Sequence, residues 1–489
     1  MSHFFVGLVC VAVVFMPPVG YSLGLSGWLV FLLWALMGVG VVLWVRFKGV
    51  KQAAEVGVLL RWARRFLILI TAVAVHLLGA DEVAKTLGFP LGQLLLLLFA
   101  TLLYGLVVLV GARREGELSG RRPRMGEEFL AAARGFLTPT IPFFCIWVLL
   151  AVLDAVPSLG EVVWTYRSLL YPGLAAVAAG FAIAMPYLAL LAIPSVRLRG
   201  ELEHHLMEIA NRVGVPLKAI YVMRTGANSI PNASIAGLFG RMRFVFVSEG
   251  LLKCPLDELE AIFAHELGHA RLHHPTLFLI YGLGFLGTVV WLVARLWDIG
   301  PAFEKATGVS AALWGAVAAL GLVAAFLSGF GWISRRFEQT ADAYAANLVS
   351  PQTYATSLMR IWLAAGGMRK LFSHWRHFPL PHRIETVASL KSDPQTFSRI
   401  VRANTLAVLL LFGVTLLGLT LYFSVAIEDA RLPGWEVAAR RVEFADLSGR
   451  GEKAKHLLLK ALQRWPDSPR LLRLLEQLEE RGDAPVGNR

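Results

Sequence analysis

Phe263-Ala264-His265-Glu266-Leu267-Gly268-His269-Ala270 is the stretch from which the rest of the chain can be read. Two histidines stand at i and i+4, with a glutamate directly after the first. On a helix that spacing puts His265 and His269 on one face, one turn apart, where two neutral imidazoles can grip one Zn²⁺ from the same side. Glu266 is turned away by about 100° and is a poor ligand from this helix. It is placed instead to reach a water on the metal and act as general base. The flanks support a helix. Pro255 stands at its start, Asp257, Glu258 and Glu260 bring negative charge to its first turns, and Leu256, Leu259, Ile262, Phe263 and Leu267 recur with helical spacing. An ordinary amphipathic helix with surface histidines fits the same letters, so the metal reading needs a third ligand elsewhere.

The 489 residues are 56% hydrophobic and only 17% charged, where a soluble protein carries roughly 25% charged residues. The excess lies in apolar runs at residues 4–16, 23–45, 66–80, 89–112, 136–153, 169–196, 276–296, 311–333 and 403–425. Most are long enough to cross about 30 Å of hydrocarbon as helices. The expected fold is mostly α, a polytopic membrane protein with about nine transmembrane helices. Only His3 gives the first run a basic flank, and Met16-Pro17-Pro18 is a poor cleavage site, so a retained helix is favoured over a signal peptide. The run at 66–80 is short, and a re-entrant segment also fits it.

The net charge of +13 has no aromatic-interleaved basic stripe behind it, which argues against nucleic acid. The basic residues collect in alternate loops instead: Arg46, Lys48, Lys51, Arg61, Arg64 and Arg65; Arg113, Arg114, Arg121, Arg122 and Arg124; Arg197 and Arg199; Arg335 and Arg336. The positive-inside rule then puts residues 197–275 and 334–402 in the cytoplasm and the C-terminal tail outside. The membrane is expected to be an inner or plasma membrane. Cys10, Cys145 and Cys254 form neither a zinc pattern nor a disulfide framework.

The third ligand is expected in Ser334-Arg335-Arg336-Phe337-Glu338-Gln339-Thr340-Ala341-Asp342. Glu338 and Asp342 share one helix face. Glu338 can bind zinc while Asp342 accepts an N–H from a ligating histidine and fixes its tautomer. A carboxylate pair neutralising Arg335 and Arg336 at the membrane surface is the competing account. The chain divides into membrane helices over 1–196, a small α+β domain over 197–402 interrupted by a membrane hairpin at 276–333, a last membrane helix at 403–425, and a helical tail over 426–489. The spacing of alanine and leucine in the tail is similar to a tetratricopeptide hairpin. Docking of a protein partner and simple capping of the fold both suit it.

HELGH, a membrane hairpin and then SRRFEQTADAYA together resemble the M48 metallopeptidases, nearest to the Ste24 type of CAAX protease, with HtpX-type proteases as relatives. The resemblance spans residues 197–390. It implies a zincin-like endopeptidase with one Zn²⁺ per chain, held by His265, His269 and Glu338, with Glu266 activating water. Ile230-Pro231-Asn232-Ala233 and then Gly237 resemble the family's segment ahead of the metal helix. This implies an edge strand at Asn232 and Ala233 on which a polypeptide substrate lies extended. His377-Phe378-Pro379-Leu380-Pro381-His382-Arg383-Ile384 is similar to a family segment with a His-Pro pair followed by Arg-Ile, although Phe378 stands where proline is usual. It implies His377 as donor to a developing oxyanion, His382 as a weaker alternative, and Arg383 orienting carboxylates or substrate.

Outside these motifs, His204, His205, His273 and His274 are expected off the metal, and His76 is expected to be a polar residue among packed helices. The glycines at 282–287 are expected to be close-packing sites between helices. The activity implied is hydrolysis of membrane-associated or misfolded polypeptides in contact with the bilayer. The alternatives are processing of lipidated CAAX-type C termini and a non-catalytic zinc-binding scaffold. A transporter is disfavoured by the scarcity of charge within the apolar runs.

Overall fold

The computed structural model describes residues 27–51, 53–80, 91–120, 125–138, 156–224, 230–308, 311–364, 377–447 and 450–480, with positions 141, 145, 148 and 152. The first apolar run, the 448–449 turn and the last residues lie outside the described residues. The chain forms two compact units, residues 1–151 with 184–195 and residues 152–183 with 196–489.

In the first unit, α1 (Gly27–Phe47), α2 (Ala53–Ala72, continued by a π turn Val73–Leu77), α3 (Leu91–Ser119) and α4 (Met125–Leu137) pack together. Trp34 and Tyr104 are buried at its centre, and Trp34 meets Phe99 at 4.7 Å between ring centroids. Arg114 reaches back from α3 to the end of α1 and donates to the carbonyls of Val45, at 2.6 Å, and Lys48. A helix end leaves carbonyls of this kind without partners of their own.

The second unit is built on a four-stranded sheet in the order β1 (Ser195–Arg197), β2 (Ala219–Met223), β4 (Phe244–Ser248), β3 (Ala233–Ala236). β2 and β4 are parallel and β3 is antiparallel to β4. Phe-Val-Phe-Val-Ser of β4 is buried at every position, as a central strand requires. β3 is the edge. Gly237 closes it at φ +118°, where a Cβ would meet the Met242 carbonyl oxygen at 2.6 Å, so only glycine fits.

α7 (Glu201–Arg212) and α8 (Leu256–Arg271) pack on the sheet core, α8 through Leu259, Ile262, Phe263 and Leu267. Pro255 caps α8, and Asp257 and Glu258 stand in its first turn, as the sequence spacing predicts. The chain then turns through His273 in the left-handed region at φ 57° and enters α9 (His274–Thr307). α10 (Ala311–Leu348) follows, then α11 (Pro351–Ala364), α12 (Leu380–Ser392) and α13 (Pro394–Ala430).

Among the described residues, six helical segments are long and apolar enough to cross a membrane: Leu29–Phe47, Leu94–Leu118, Arg167–Ala192, His274–Leu296, Leu313–Leu348 and Gln395–Ala430. The protein is thus mostly helical and an integral membrane protein. The run at 66–80 belongs to a helix carrying Arg61, Arg64 and Arg65, and 136–153 is described only in part. Gly284 and Gly287 of α9 lie against Thr415 and Gly418 of α13 with no room for a Cβ, whereas Gly282 faces open space. Small residues let two backbones approach this closely.

The tail forms three helices, α14 (Gly434–Leu447), α15 (Gly451–Arg464) and α16 (Pro469–Glu480), around Val442, Leu458 and Leu471. A buried ion network fastens it to the connection between α5 (Pro157–Thr165) and α6 (Leu170–Ala192). Arg440 donates to the Thr165 carbonyl at 2.7 Å and to Asp429 at 3.1 Å, and Asp429 accepts the Ser168 N–H at 2.7 Å.

Candidate metal centre

Four separate elements converge on the HELGH helix. His265 and His269 project one turn apart from α8, with their Nε2 atoms 3.2 Å apart. Glu338, near the end of α10, brings Oε2 to 3.5 Å from His265 Nε2 and Oε1 to 3.4 Å from His269 Nε2. Among the described residues this is the group of three side chains able to hold a metal ion. Zinc bonds of about 2.0–2.1 Å in a tetrahedron separate ligand atoms by about 3.3 Å. The three observed separations fit that edge, and a His₂Glu set leaves a fourth position open.

His265 is buried on its other side as well. Its Nδ1 lies 3.1 Å from Asp342 Oδ1 and 2.9 Å from the Tyr354 hydroxyl. Tyr354 donates to Asp342 Oδ1 at 2.6 Å. Arg383 grips Asp342 with both arms, Nε to Oδ2 at 2.9 Å and Nη2 to Oδ1. Burial disfavours the His265 imidazolium, yet hydrogen bonds to Asp342 and Glu338 outweigh it and raise this histidine to about 10. Burial and the Asp342 charge push the Tyr354 phenol well up, so it stays a donor. Burial works against the Arg383 charge, but Asp342 holds it well above the ordinary range. The guanidinium is therefore committed to a carboxylate, the first of the two tasks the sequence allowed it.

Glu266 follows His265 directly on α8 and is not one of the three grouped side chains. Its Oε2 accepts the Ile235 N–H of β3 at 2.9 Å. The register explains why β4 does not use that N–H. The Asn232 carbonyl accepts Ser248 N–H at 2.9 Å, so Asn232, Ser234 and Ala236 bond to β4 while the main chain of Ala233 and Ile235 faces outward. Asn232 is exposed, but its own N–H goes to Ser248 Oγ at 2.9 Å. Ala233 is buried, and its main chain is one that the register leaves unpaired with β4.

His377 stands at the centre, its Nδ1 2.9 Å from Glu338 Oε2 and its side chain 39% exposed. His382 is exposed and packs its ring on Phe378. His204 and His205 lie on α7, and His205 pairs with Glu260 at 2.5 Å. The His76 side chain lies outside the described residues. His274 meets His269 Nδ1 rather than the three ligand atoms. Tyr354 and His274 are the two participants that sequence reasoning missed. Tyr354 carries no motif, and His274 is signalled only by standing five residues after His269.

Residues 197–407 match Peptidase family M48. The protease HtpX of Vibrio cholerae serotype O1 is 32% identical over 214 residues, which are 39% of this chain and 72% of that protein. The HtpX of Idiomarina loihiensis is 34% identical over 160 residues, 31% of this chain and 53% of that one. The CAAX prenyl protease 1 homolog of Arabidopsis thaliana is 29% identical over 202 residues, 38% and 47% of the two chains. The chain thus spans about half the length of these last two relatives. The crystal structure of S. mikatae Ste24p aligns with 78% of this chain and 99% of its own at 17% identity, with a TM-score of 0.42. The match of the domain that carries the centre, together with the HtpX alignment over most of that protein's length, places the chain in peptidase family M48.

Proposed function

We propose that the protein is a membrane-embedded zinc metalloendopeptidase that hydrolyses peptide bonds of membrane-associated or misfolded proteins. The observation that carries this reading is the triangle of His265, His269 and Glu338, with the Glu266 carboxylate on the same helix one residue from a ligand. Zinc bound there supplies Lewis acidity toward a carbonyl oxygen and makes water more acidic. Glu266 takes a proton from the attacking water and passes it to the leaving amine. The main chain of Ala233 and the carbonyl of Ile235, whose N–H is taken by Glu266, face away from β4 and can pair with an extended substrate, with the Asn232 side chain beside them. His377 donates to the oxyanion as charge develops there. Arg383 acts through Asp342, holding the carboxylate that orients His265.

Residues 197–402 are the peptidase domain in this reading, interrupted by the hairpin at 276–333, and the centre faces the cytoplasm. The full count of crossings is nine, and the tetratricopeptide-like tail over 426–489 lies on the other side, free to dock a partner protein. The test is full-length protein in detergent, assayed for zinc content and for cleavage of casein and of a prenylated CAAX peptide. Zinc-dependent cleavage of casein, lost in Glu266→Gln with zinc retained, is the expected result. Cleavage confined to the prenylated peptide would replace the quality-control reading by CAAX processing. Cleavage of casein by zinc-loaded Glu266→Gln would remove Glu266 from its role.

A further inference from the structure

The two histidines of the centre are backed by different chemistry. His265 rests on a carboxylate, Asp342, which is itself clamped by Arg383 and Tyr354. His269 rests on another imidazole. His274 is 1% exposed, and its Nδ1 lies 2.9 Å from His269 Nδ1. The ring stacks on Phe337 at 4.2 Å and 3°, and its Nε2 lies 3.4 Å from Thr340 Oγ1.

Two facing ring nitrogens at hydrogen-bond distance share one proton, so one donates and the other accepts. The direction decides what His269 presents to the metal. If His274 donated, the His269 proton would sit on Nε2, the atom aimed at the centre. If His269 donates from Nδ1, its Nε2 offers a lone pair. Thr340 selects between the two. Its hydroxyl donates to the Phe337 carbonyl at 2.9 Å, shorter than its 3.4 Å separation from His274. The hydroxyl oxygen is then left to accept, and His274 must carry its proton on Nε2. That leaves His274 Nδ1 as acceptor and His269 Nδ1 as donor.

The geometry points to His274 as a positioning residue for the metal centre: with Thr340 it fixes the tautomer of His269, so that a neutral relay Thr340–His274–His269 backs one ligand while the charged group Arg383–Asp342–Tyr354 backs the other. This rests on the metal reading of His265, His269 and Glu338. The left-handed corner at His273 makes the relay feasible. It breaks the helix between His269 and His274 and folds the second imidazole back onto the first. An unbroken helix would carry residues five apart about 140° around the axis from each other.

The experiment uses full-length protein in detergent, with the zinc dissociation constant read by chelator competition and the Co²⁺ absorption spectrum as a second readout. His274→Phe keeps the volume and the stack on Phe337 but has no nitrogen. It is expected to unfold at the parent's temperature when metal-free, to bind zinc roughly 10–100-fold more weakly, and to alter the Co²⁺ spectrum. His274→Gln, which restores an oxygen acceptor, should recover part of the loss. Thr340→Val, which keeps its shape but cannot accept from His274, should also weaken zinc binding several-fold, and Thr340→Ser should not. Parent affinity in both His274→Phe and Thr340→Val overturns the relay while leaving the metal centre intact. A parent protein that binds no zinc overturns the centre and the relay with it.

Discussion

Zinc should have to displace a proton from the resting centre. Asp342 and Glu338 together raise His265 to about 10 against the opposing effect of its burial. At pH 7 the metal-free ring is therefore an imidazolium, whose nitrogens both carry protons and cannot ligate. Each pH unit below the pKa costs about 1.4 kcal/mol. The three units between pH 7 and about 10 thus cost about 4 kcal/mol, on the order of a thousandfold in apparent affinity. Zinc affinity should climb about tenfold per unit from pH 6.5 to 9. Chelator competition on detergent-solubilised protein, corrected for protonation of the chelator, measures that slope. Asp342→Asn should flatten it at lower pH, because one of the two carboxylates holding the proton is gone. The same proton has a consequence for stability. A folded-state value above the unfolded one, about 6.5, stabilises the metal-free fold fully below that pH, and the contribution is lost as pH rises through about 10. Metal-free protein should lose thermal stability across that window while zinc-loaded protein does not. A corrected affinity that is flat between pH 6.5 and 9 would refute the reasoning.

Three other perturbations test the scaffold. Gly418→Ala should drive α9 and α13 apart and destabilise the detergent-solubilised protein by about 1–3 kcal/mol, because its Cβ would collide with the Gly284 backbone. Gly282→Ala, with nothing within 4 Å, should be tolerated, and thermal unfolding of the two variants decides between them. Gly237→Ala places a side chain at φ +118° against the Met242 carbonyl and should cost about 1–3 kcal/mol. It should also lower casein cleavage more than zinc content, since β3 and not the ligands is displaced. Arg383→Met leaves the buried Asp342 carboxylate without its guanidinium and should cost about 3–5 kcal/mol. The double variant with Asp342→Asn should recover part of that in a thermal double-mutant cycle.

What the sequence made legible follows from spacing. HELGH and Glu338 with Asp342 are both i, i+4 arrangements, and helical geometry fixes what each puts on one face, so the three side chains that the structure brings together as a group able to hold a metal could be named before any fold was known. The close approach at Gly284 and Gly287 was visible for the same reason. Partners joined across space were not. Tyr354 meets Asp342 only because α11 folds back beneath α10, and nothing in Pro-Gln-Thr-Tyr-Ala-Thr announces a buried hydroxyl. The task of Arg383 was open between substrate and carboxylate, because a local motif cannot say which side the guanidinium faces. His274 was expected off the metal, but its contact with His269 was not readable, because residues five apart on a continuous helix do not meet and the left-handed His273 that brings them together carries no sequence signature.

If the proposed function holds, the helices that carry His274 and Glu338 also set where a substrate comes from. On α9, His274, Phe278, Tyr281 and Phe285 recur at helical spacing. They meet Phe337, Phe330 and Phe326 of α10 in a continuous aromatic seam. Tyr281 donates to the Phe326 carbonyl and fills the space that a side chain at Gly329 would need. The seam runs unbroken from apolar helix to metal centre, since His274 belongs at once to the stack and to the contact with His269. Glu338 stands five residues beyond Ile333, the end of the apolar run, a rise of about 8 Å along the helix. Two rigid helices packed in this way cannot carry the ligands far from the bilayer. The headgroup layer outside the hydrocarbon is itself only about 5–8 Å deep on each side. On the function proposed above, a scissile bond reaching His265, His269 and Glu338 would lie close to the membrane surface, and chains already held there would be favoured over freely diffusing folded proteins. Lengthening the connection would break this dependence. A four-residue helical insertion after Ile333 moves Glu338 about 6 Å along the axis and should abolish zinc binding, whereas the same insertion in the α9–α10 connection should leave it in place.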